Sequence, residues 1–229
     1  MPLRTPIIRQ LGRVDYEQAW NAMQAFTLAR TPTTPDELWV LEHPPVYTVG
    51  LAGKPQHFPR SGDIALVHTD RGGQITYHGP GQAVVYTLVD LNRRNIKVRE
   101  MVCLLEQAAI DFLAAHAVTA VRRPGAPGVY IETATTNANA AGGLAKIAAL
   151  GLKVKRNGCY HGISLNVDLD VTPFNAIDPC GYPGLAIART VDYGITDSVS
   201  RIGNALAQQI ARALHEHASQ LKEPHAIPA

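Results

Sequence analysis

Val98-Arg99-Glu100-Met101-Val102-Cys103-Leu104-Leu105-Glu106-Gln107-Ala108-Ala109-Ile110-Asp111-Phe112-Leu113 divides this 229-residue chain into two halves rich in strand signals. Val98, Met101, Val102, Leu105, Ala109, Phe112 and Leu113 recur at helical spacing, which predicts a helix from about Val98 to His116 with one face on a sheet. Upstream, β-rich segments at 38–42, 46–49, 64–68 and 83–91 are separated by Pro and Gly clusters. Downstream, strand signals return at 118–122, 128–131, 146–155 and 163–167, and Val199, Ile202, Leu206, Ile210 and Leu214 define a closing helix. An earlier helix runs from a cap at Asp15, with Gln18 three residues on, to about Arg30, its apolar face being Tyr16, Ala19, Trp20, Met23 and Phe26. Strands, helix, strands, helix is the order of an α+β fold with mixed β-sheets and packed helices, not of a doubly wound sheet.

The length suits one domain over residues 1–229. Residues 133–143 are small, polar and without period, and read as a flexible loop inserted in a hairpin; residues 222–229 read as a loose tail. A 46% hydrophobic and 17% charged composition is globular, and no run of about 18 apolar residues could span a bilayer. With no apolar run after Met1-Pro2-Leu3-Arg4 to mark a secretory signal, the expectation is a cytoplasmic protein. A formal charge of +2 is too balanced for nucleic-acid affinity driven by counterion release. Three cysteines without CxxC spacing argue against a disulfide framework, and the histidines show no HxxxH or HExxH pattern, so no metal and no cofactor are expected.

Two segments invite chemistry. Arg71-Gly72-Gly73-Gln74-Ile75-Thr76-Tyr77-His78-Gly79-Pro80-Gly81-Gln82 sets a short alternating strand between glycine-rich turns, where backbone N–H groups can approach a ligand and Arg71, Gln74, Thr76 and His78 offer polar atoms. The same pattern equally suits a plain β-turn with a satisfied histidine. Asp178-Pro179-Cys180-Gly181 places a thiol on a constrained loop, where a nucleophile needs help to reach the thiolate from a free pKa of about 8.5. Lys146, opening the run Ile147-Ala148-Ala149-Leu150-Gly151, is a candidate cation; its bland reading is an exposed strand-end lysine. Cys159, two residues from His161 beside an expected turn at Asn157-Gly158, is a rival nucleophile, and Cys103 reads as a buried structural thiol in its helix. Lys153, Lys155 and Arg156, or Arg93, Arg94 and Lys97, are basic clusters that could face an acidic carrier or be solvated strand ends.

These segments, with Glu42-His43-Pro44-Pro45-Val46-Tyr47-Thr48-Val49-Gly50 and His161-Gly162-Ile163-Ser164-Leu165-Asn166-Val167, resemble the octanoyl-carrier-protein:protein N-octanoyltransferases, also called lipoate-protein ligase B, from about Asp15 to Leu214. The resemblance implies a fold like the catalytic domains of biotin and lipoate ligases, and an acyltransferase opening endogenous protein lipoylation. It implies that the Cys180 thiol carries an octanoyl (or lipoyl) group as a thioester and that Lys146 lowers its pKa. It implies that Arg71, Gly72, Gly73, Gln74, Ile75, Thr76, Tyr77 and His78, then Ala149, Leu150 and Gly151, then Gly162, Ile163 and Ser164, line the acyl site. The implied donor is octanoyl-acyl carrier protein. The implied acceptors are lipoyl domains of 2-oxoacid dehydrogenase complexes and the glycine cleavage H protein. The longer segment at 133–143 and Ala83, where a larger aliphatic residue is common, depart from the family pattern.

Overall fold

A computed structural model describes residues 4–59, 62–133, 143–156, 158–179 and 184–220. The expected loop over most of 133–143, the tail at 222–229, Asn157 and Cys180 therefore lie outside the described residues.

The main sheet has eight strands. In spatial order its path is β1 (Ile7–Arg13), β2 (Glu37–Glu42), β6 (Gln82–Asp90), β10 (Gly158–Asn166), β9 (Leu144–Lys155), β8 (Ala126–Glu132) and β7 (Val121–Arg123), with β11 (Ala186–Ile187) pairing β9. β1 and β2 are parallel, joined by α1 (Tyr16–Ala29), the pairs from β2 through to β7 are antiparallel, and the one-turn helix α2 (Leu91–Arg94) follows β6. A second sheet of β4 (Ala65–His68), β3 (Val46–Val49) and β5 (Ile75–His78) carries the glycine-rich segment.

The central strands β2, β6 and β10 of the main sheet are buried on both faces. Ala83, Val85 and Val89 of β6 join Leu38 and Val40 beneath α3 (Val98–Ala114) and α4 (Val199–Gln220), while Val84, Tyr86 and Leu88 meet Trp39, Leu41 and Met23 under α1. That is why β6 shows no hydrophobic alternation: side chains pointing both ways reach apolar layers. The small sheet keeps its own core of Tyr47, Val49, Ile75, Tyr77, Phe174 and Ile177. The α+β expectation holds, and its helices stand within a few residues of their predicted bounds.

β1 escaped the sequence reading. It is an edge strand exposed at almost every position, including Ile7 and Leu11, so it carries no periodic signal. The strand expected at 118–122 forms at Val121–Arg123. Cys103 is exposed on α3, contrary to the structural role expected for it; it falls two residues after Met101, outside the buried stripe. Arg93 and Arg94 do not face solvent as a basic patch either. With Arg30 they grip Asp36, Arg93 at 2.6 Å and Arg94 at 2.6 Å, and Arg94 is fully buried.

Candidate active site

A cleft open to solvent lies between the small sheet and the middle of the main sheet. The residues singled out in sequence reach it from three separate pieces of backbone. From β5 and the turn before it come Arg71, Gly73, Gln74, Ile75, Thr76 and His78; from β9 come Lys146, Ala149, Leu150 and Gly151; from β10 come Gly162, Ile163 and Ser164. Pro179, which precedes Cys180 in the chain, lines it too.

Lys146 reaches the cleft through a backbone irregularity. Residues 146 and 149 are an odd number apart, so a regular strand would point them to opposite faces. Between β8 and β9 the register steps from Val129↔Ala148 to Tyr130↔Lys146, one extra residue on β9. This bulge lets Ile147 and Ala148 both enter the core while Lys146 and Ala149 both face the cleft. Lys146 is 3% exposed, with its ammonium 5.2 Å from the centroid of the Tyr130 ring, so the strand-end reading of this lysine does not hold.

The glycine-rich segment is fastened to β9 by its backbone. The Gly72 N–H donates to the Leu152 carbonyl at 3.0 Å, and a Cβ at residue 151 would stand 2.8 Å from the Gly72 oxygen, so the approach requires Gly151. Gly72 thus docks the loop and does not line the cleft. Tyr77 also points away, into the small sheet's core, 5.6 Å from Tyr47 and 5.7 Å from Phe174 between ring centroids. The Arg71 guanidinium is committed to the small sheet, donating to the Thr48 carbonyl at 2.6 Å and to Thr48 Oγ1.

Behind the cleft lies a relay of buried polar groups. His78 Nδ1–H donates to Gln82 Oε1 at 2.7 Å, the Gln82 amide donates to Asn166 Oδ1 at 2.9 Å, and the Asn166 amide donates to the Ala188 carbonyl at 3.1 Å. The Ala188 N–H in turn holds the Lys146 carbonyl at 3.0 Å. Each member is satisfied, so the relay is rigid and ties the small sheet's histidine to the strand bearing Lys146. His78 is therefore both the satisfied histidine and a cleft residue. Burial pushes its pKa down to about 3, aided by the adjacent His43 charge. His43 donates Nδ1–H to the Val14 carbonyl at 2.7 Å and accepts from the Tyr86 hydroxyl at 2.6 Å; burial lowers it to about 4.

Cys159 is in the core beneath α3 and α4, its thiol donating to the Thr87 carbonyl at 3.3 Å and pushed up to about 11 by burial. An inert buried thiol is a poor nucleophile, so the rival to Cys180 falls away. Among the described residues no group of His, Cys, Asp and Glu could hold a metal ion, and no helix is long and apolar enough to cross a membrane.

Residues 15–217 match the model of the lipoyl protein ligase A/B catalytic domain. The chain belongs to that family. It is 54% identical over 215 residues to an octanoyltransferase of Aromatoleum aromaticum, covering 93% of this chain and 88% of that one. The family's fold is seen in a bipartite lipoate protein ligase from Thermoplasma acidophilum, at TM-score 0.70 and 15% identity over 95% of this chain and 91% of that one. A biotin protein ligase from Aquifex aeolicus superposes at TM-score 0.54 and 8% identity, over 95% of this chain and 73% of that one. These two likenesses bear out the expected ligase-like fold.

Several cleft residues of this ligase-family domain had not been singled out. Tyr16, Val84 and Tyr86 are ordinary members of apolar faces in sequence and gave no sign. A sign did exist on β10. Gly162, Ser164 and Asn166 alternate along an otherwise apolar strand, marking a polar face on which Asn166 belonged beside the expected Gly162 and Ser164. His161 does not follow that alternation at all.

Proposed function

We propose that this chain transfers an octanoyl group from acyl carrier protein to a lysine amine of a lipoyl domain, through a thioester on Cys180. The observation that carries the reading is the convergence of Lys146, of Arg71, Gly73, Gln74, Ile75, Thr76 and His78, of residues 149–151 and of residues 162–164 on one largely apolar cleft that Pro179 also lines. Named octanoyltransferases about half identical to this chain over nearly its whole length support it.

In the first half-reaction the Cys180 thiolate attacks the donor's thioester carbonyl. The bond from that carbon to the carrier's sulfur breaks, and the carrier leaves as a thiol after taking up a proton. In the second, the acceptor amine attacks the Cys180 thioester, loses a proton, and expels the Cys180 thiolate as the amide forms. We assign Lys146 to both proton-sensitive steps. As an ammonium it favours the thiolate, and as an amine it takes the acceptor's proton. The apolar walls from Ile75, Leu150 and Ile163 suit a saturated chain, and the exclusion of water there protects the thioester from hydrolysis. Acyl exchange between thioester and amine needs no nucleotide. The acceptors are lipoyl domains, the 2-oxoacid dehydrogenase complexes and glycine cleavage H protein being the expected carriers of them, and a cytoplasmic location follows from the same reading.

The test is intact-protein mass spectrometry after mixing with octanoyl-acyl carrier protein in the absence of ATP. One hydroxylamine-labile octanoyl adduct is expected on the wild-type and Cys159→Ser proteins and none on Cys180→Ser. Lys146→Ala should slow adduct formation at pH 7, and an unchanged rate would remove its role in thiolate formation.

A further inference from the structure

His161 is a buried polar group that the mechanism leaves unused. It is 2% exposed and lines the cleft. Its Nε2–H donates to Asp70 Oδ1 at 2.9 Å, and Asp70 is held in turn by the Trp20 indole N–H at 2.9 Å and the Tyr160 hydroxyl. Burial works to raise the Asp70 carboxyl, but the hydrogen bonds from His161, Tyr160 and Trp20 outweigh it and keep the group ionised. Burial holds His161 below its ordinary pKa, against the pull of Asp70. A neutral ring that donates from Nε2 presents a lone pair at Nδ1, and that atom is buried with no hydrogen-bond partner among the described residues.

The backbone is bent to place it. His161 has φ +61, left-handed and uncommon for a residue with a Cβ. Alternation from Cys159 and Ile163, both in the core beneath α3 and α4, would send the side chain at 161 into that same core. Instead it crosses to the cleft face beside Tyr86, at 6.1 Å between ring centroids. A strained backbone that turns a polar ring out of an apolar layer and toward a cleft is a built feature.

Its position along the cleft follows from register. On β9, Lys146 pairs with Ile187 of β11, and His161 pairs with Leu152, six residues further on. At ~3.3 Å per residue, with one residue absorbed by the bulge, the two ends stand roughly 17 Å apart. From a single-bond length of ~1.5 Å, an extended octanoyl chain spans about 9 Å and a palmitoyl chain about 19 Å. Between the ends the walls are Ile75, Val84, Ala149, Leu150 and Ile163.

We propose that His161, oriented by Asp70, is the specificity-determining residue that closes the far end of the acyl site and limits the chain to medium length. The inference rests on reading the cleft as that acyl site. A chain long enough to reach the ring must displace a buried imidazole that Asp70 holds in place, and a methylene brings no donor to Nδ1, so such a chain is penalised, whereas an eight-carbon chain stops short of it.

The test is kcat/KM for acylation with octanoyl-, decanoyl-, dodecanoyl- and hexadecanoyl-acyl carrier protein, read as the hexadecanoyl-to-octanoyl ratio, which is insensitive to the fraction of active protein. His161→Leu, which removes the acceptor but keeps bulk, should raise that ratio on the order of tenfold. His161→Asn, which keeps an acceptor and tolerates the left-handed backbone, should stay near the wild-type ratio. On the wild-type protein, which needs no variant to fold, a 16-hydroxyhexadecanoyl chain should be used better than hexadecanoyl, because its hydroxyl supplies the donor that Nδ1 lacks. An unmoved ratio in His161→Leu, an equal rise in both variants, or no preference for the hydroxylated chain would overturn the inference while leaving octanoyl transfer intact. No octanoyl adduct on the wild-type protein would overturn the acyl-site reading, and this inference with it.

Discussion

Gly128 on β8 is the position at which a single methyl group should disturb the candidate site most informatively. Its φ is +139, and a Cβ built there would stand 2.5 Å from Cε and 3.1 Å from Nζ of Lys146 and 2.8 Å from the Ala148 carbonyl oxygen. Its N–H also donates to Glu106 Oε1 at 2.9 Å, so the backbone cannot drift to relieve the contact without losing a buried hydrogen bond. Gly128→Ala should therefore cost about 1–3 kcal/mol in backbone strain and a similar amount in overpacking, about 2–6 kcal/mol in total. At roughly 2–4 °C per kcal/mol for a domain of this size, the Tm should fall by about 4–24 °C. Octanoyl-adduct formation at a temperature where the variant is folded should slow as well, because the side chain displaced is Lys146. Calorimetry on Gly128→Ala, Lys146→Ala and the double variant separates the two costs. Removing the lysine relieves the clash but not the strain, so the double variant should be more stable than the sum of the singles by about 1 kcal/mol or more. Strict additivity, or a fall in Tm of less than about 2 °C, would refute the reasoning.

Acid should weaken the fold through two buried histidines. His43 and His78 are pushed down to about 4 and about 3 by burial, so below an unfolded pKa of about 6.5 the unfolded chain binds protons that the folded chain does not. The stability they contribute is present above pH 6.5 and is lost as pH falls toward 4, on the order of 3 kcal/mol for His43 alone. Urea midpoints measured from pH 7 to 4.5 should drop accordingly, and His43→Gln should flatten the slope; a flat wild-type profile would contradict the burial argument. Asp36→Ala strands the guanidinium of the fully buried Arg94 and should cost about 3–5 kcal/mol, read as a lower urea midpoint with unchanged slope. In native protein a thiol reagent should modify exposed Cys103 quickly and leave Cys159 untouched until the chain is unfolded, and prompt labelling of Cys159 would mean that its core position is wrong.

The periodicities of α1, α3 and α4 and the turn residues between strands are local properties, so the helices, the strands on either side of α3 and the α+β class could be read from order alone. The segments that meet at the cleft were also legible as segments, because glycine-rich turns and polar residues in apolar strands stand out locally. Which side chains face that cleft was not. Strand alternation predicts opposite faces for Lys146 and Ala149, and only a bulge set by pairing with β8 brings both inward. The same alternation buries His161 in the core, and only a left-handed residue inside β10 turns it toward Asp70, distant in sequence. Gly72 and Tyr77 sit in the same short segment as His78, yet one docks on β9 and the other fills the small sheet's core. Burial sorted the cysteines in the same way, exposing Cys103 and enclosing Cys159. Each of these depends on which strand lies alongside, a relation between residues far apart in the chain, and spacing along one segment contains no information about its neighbour.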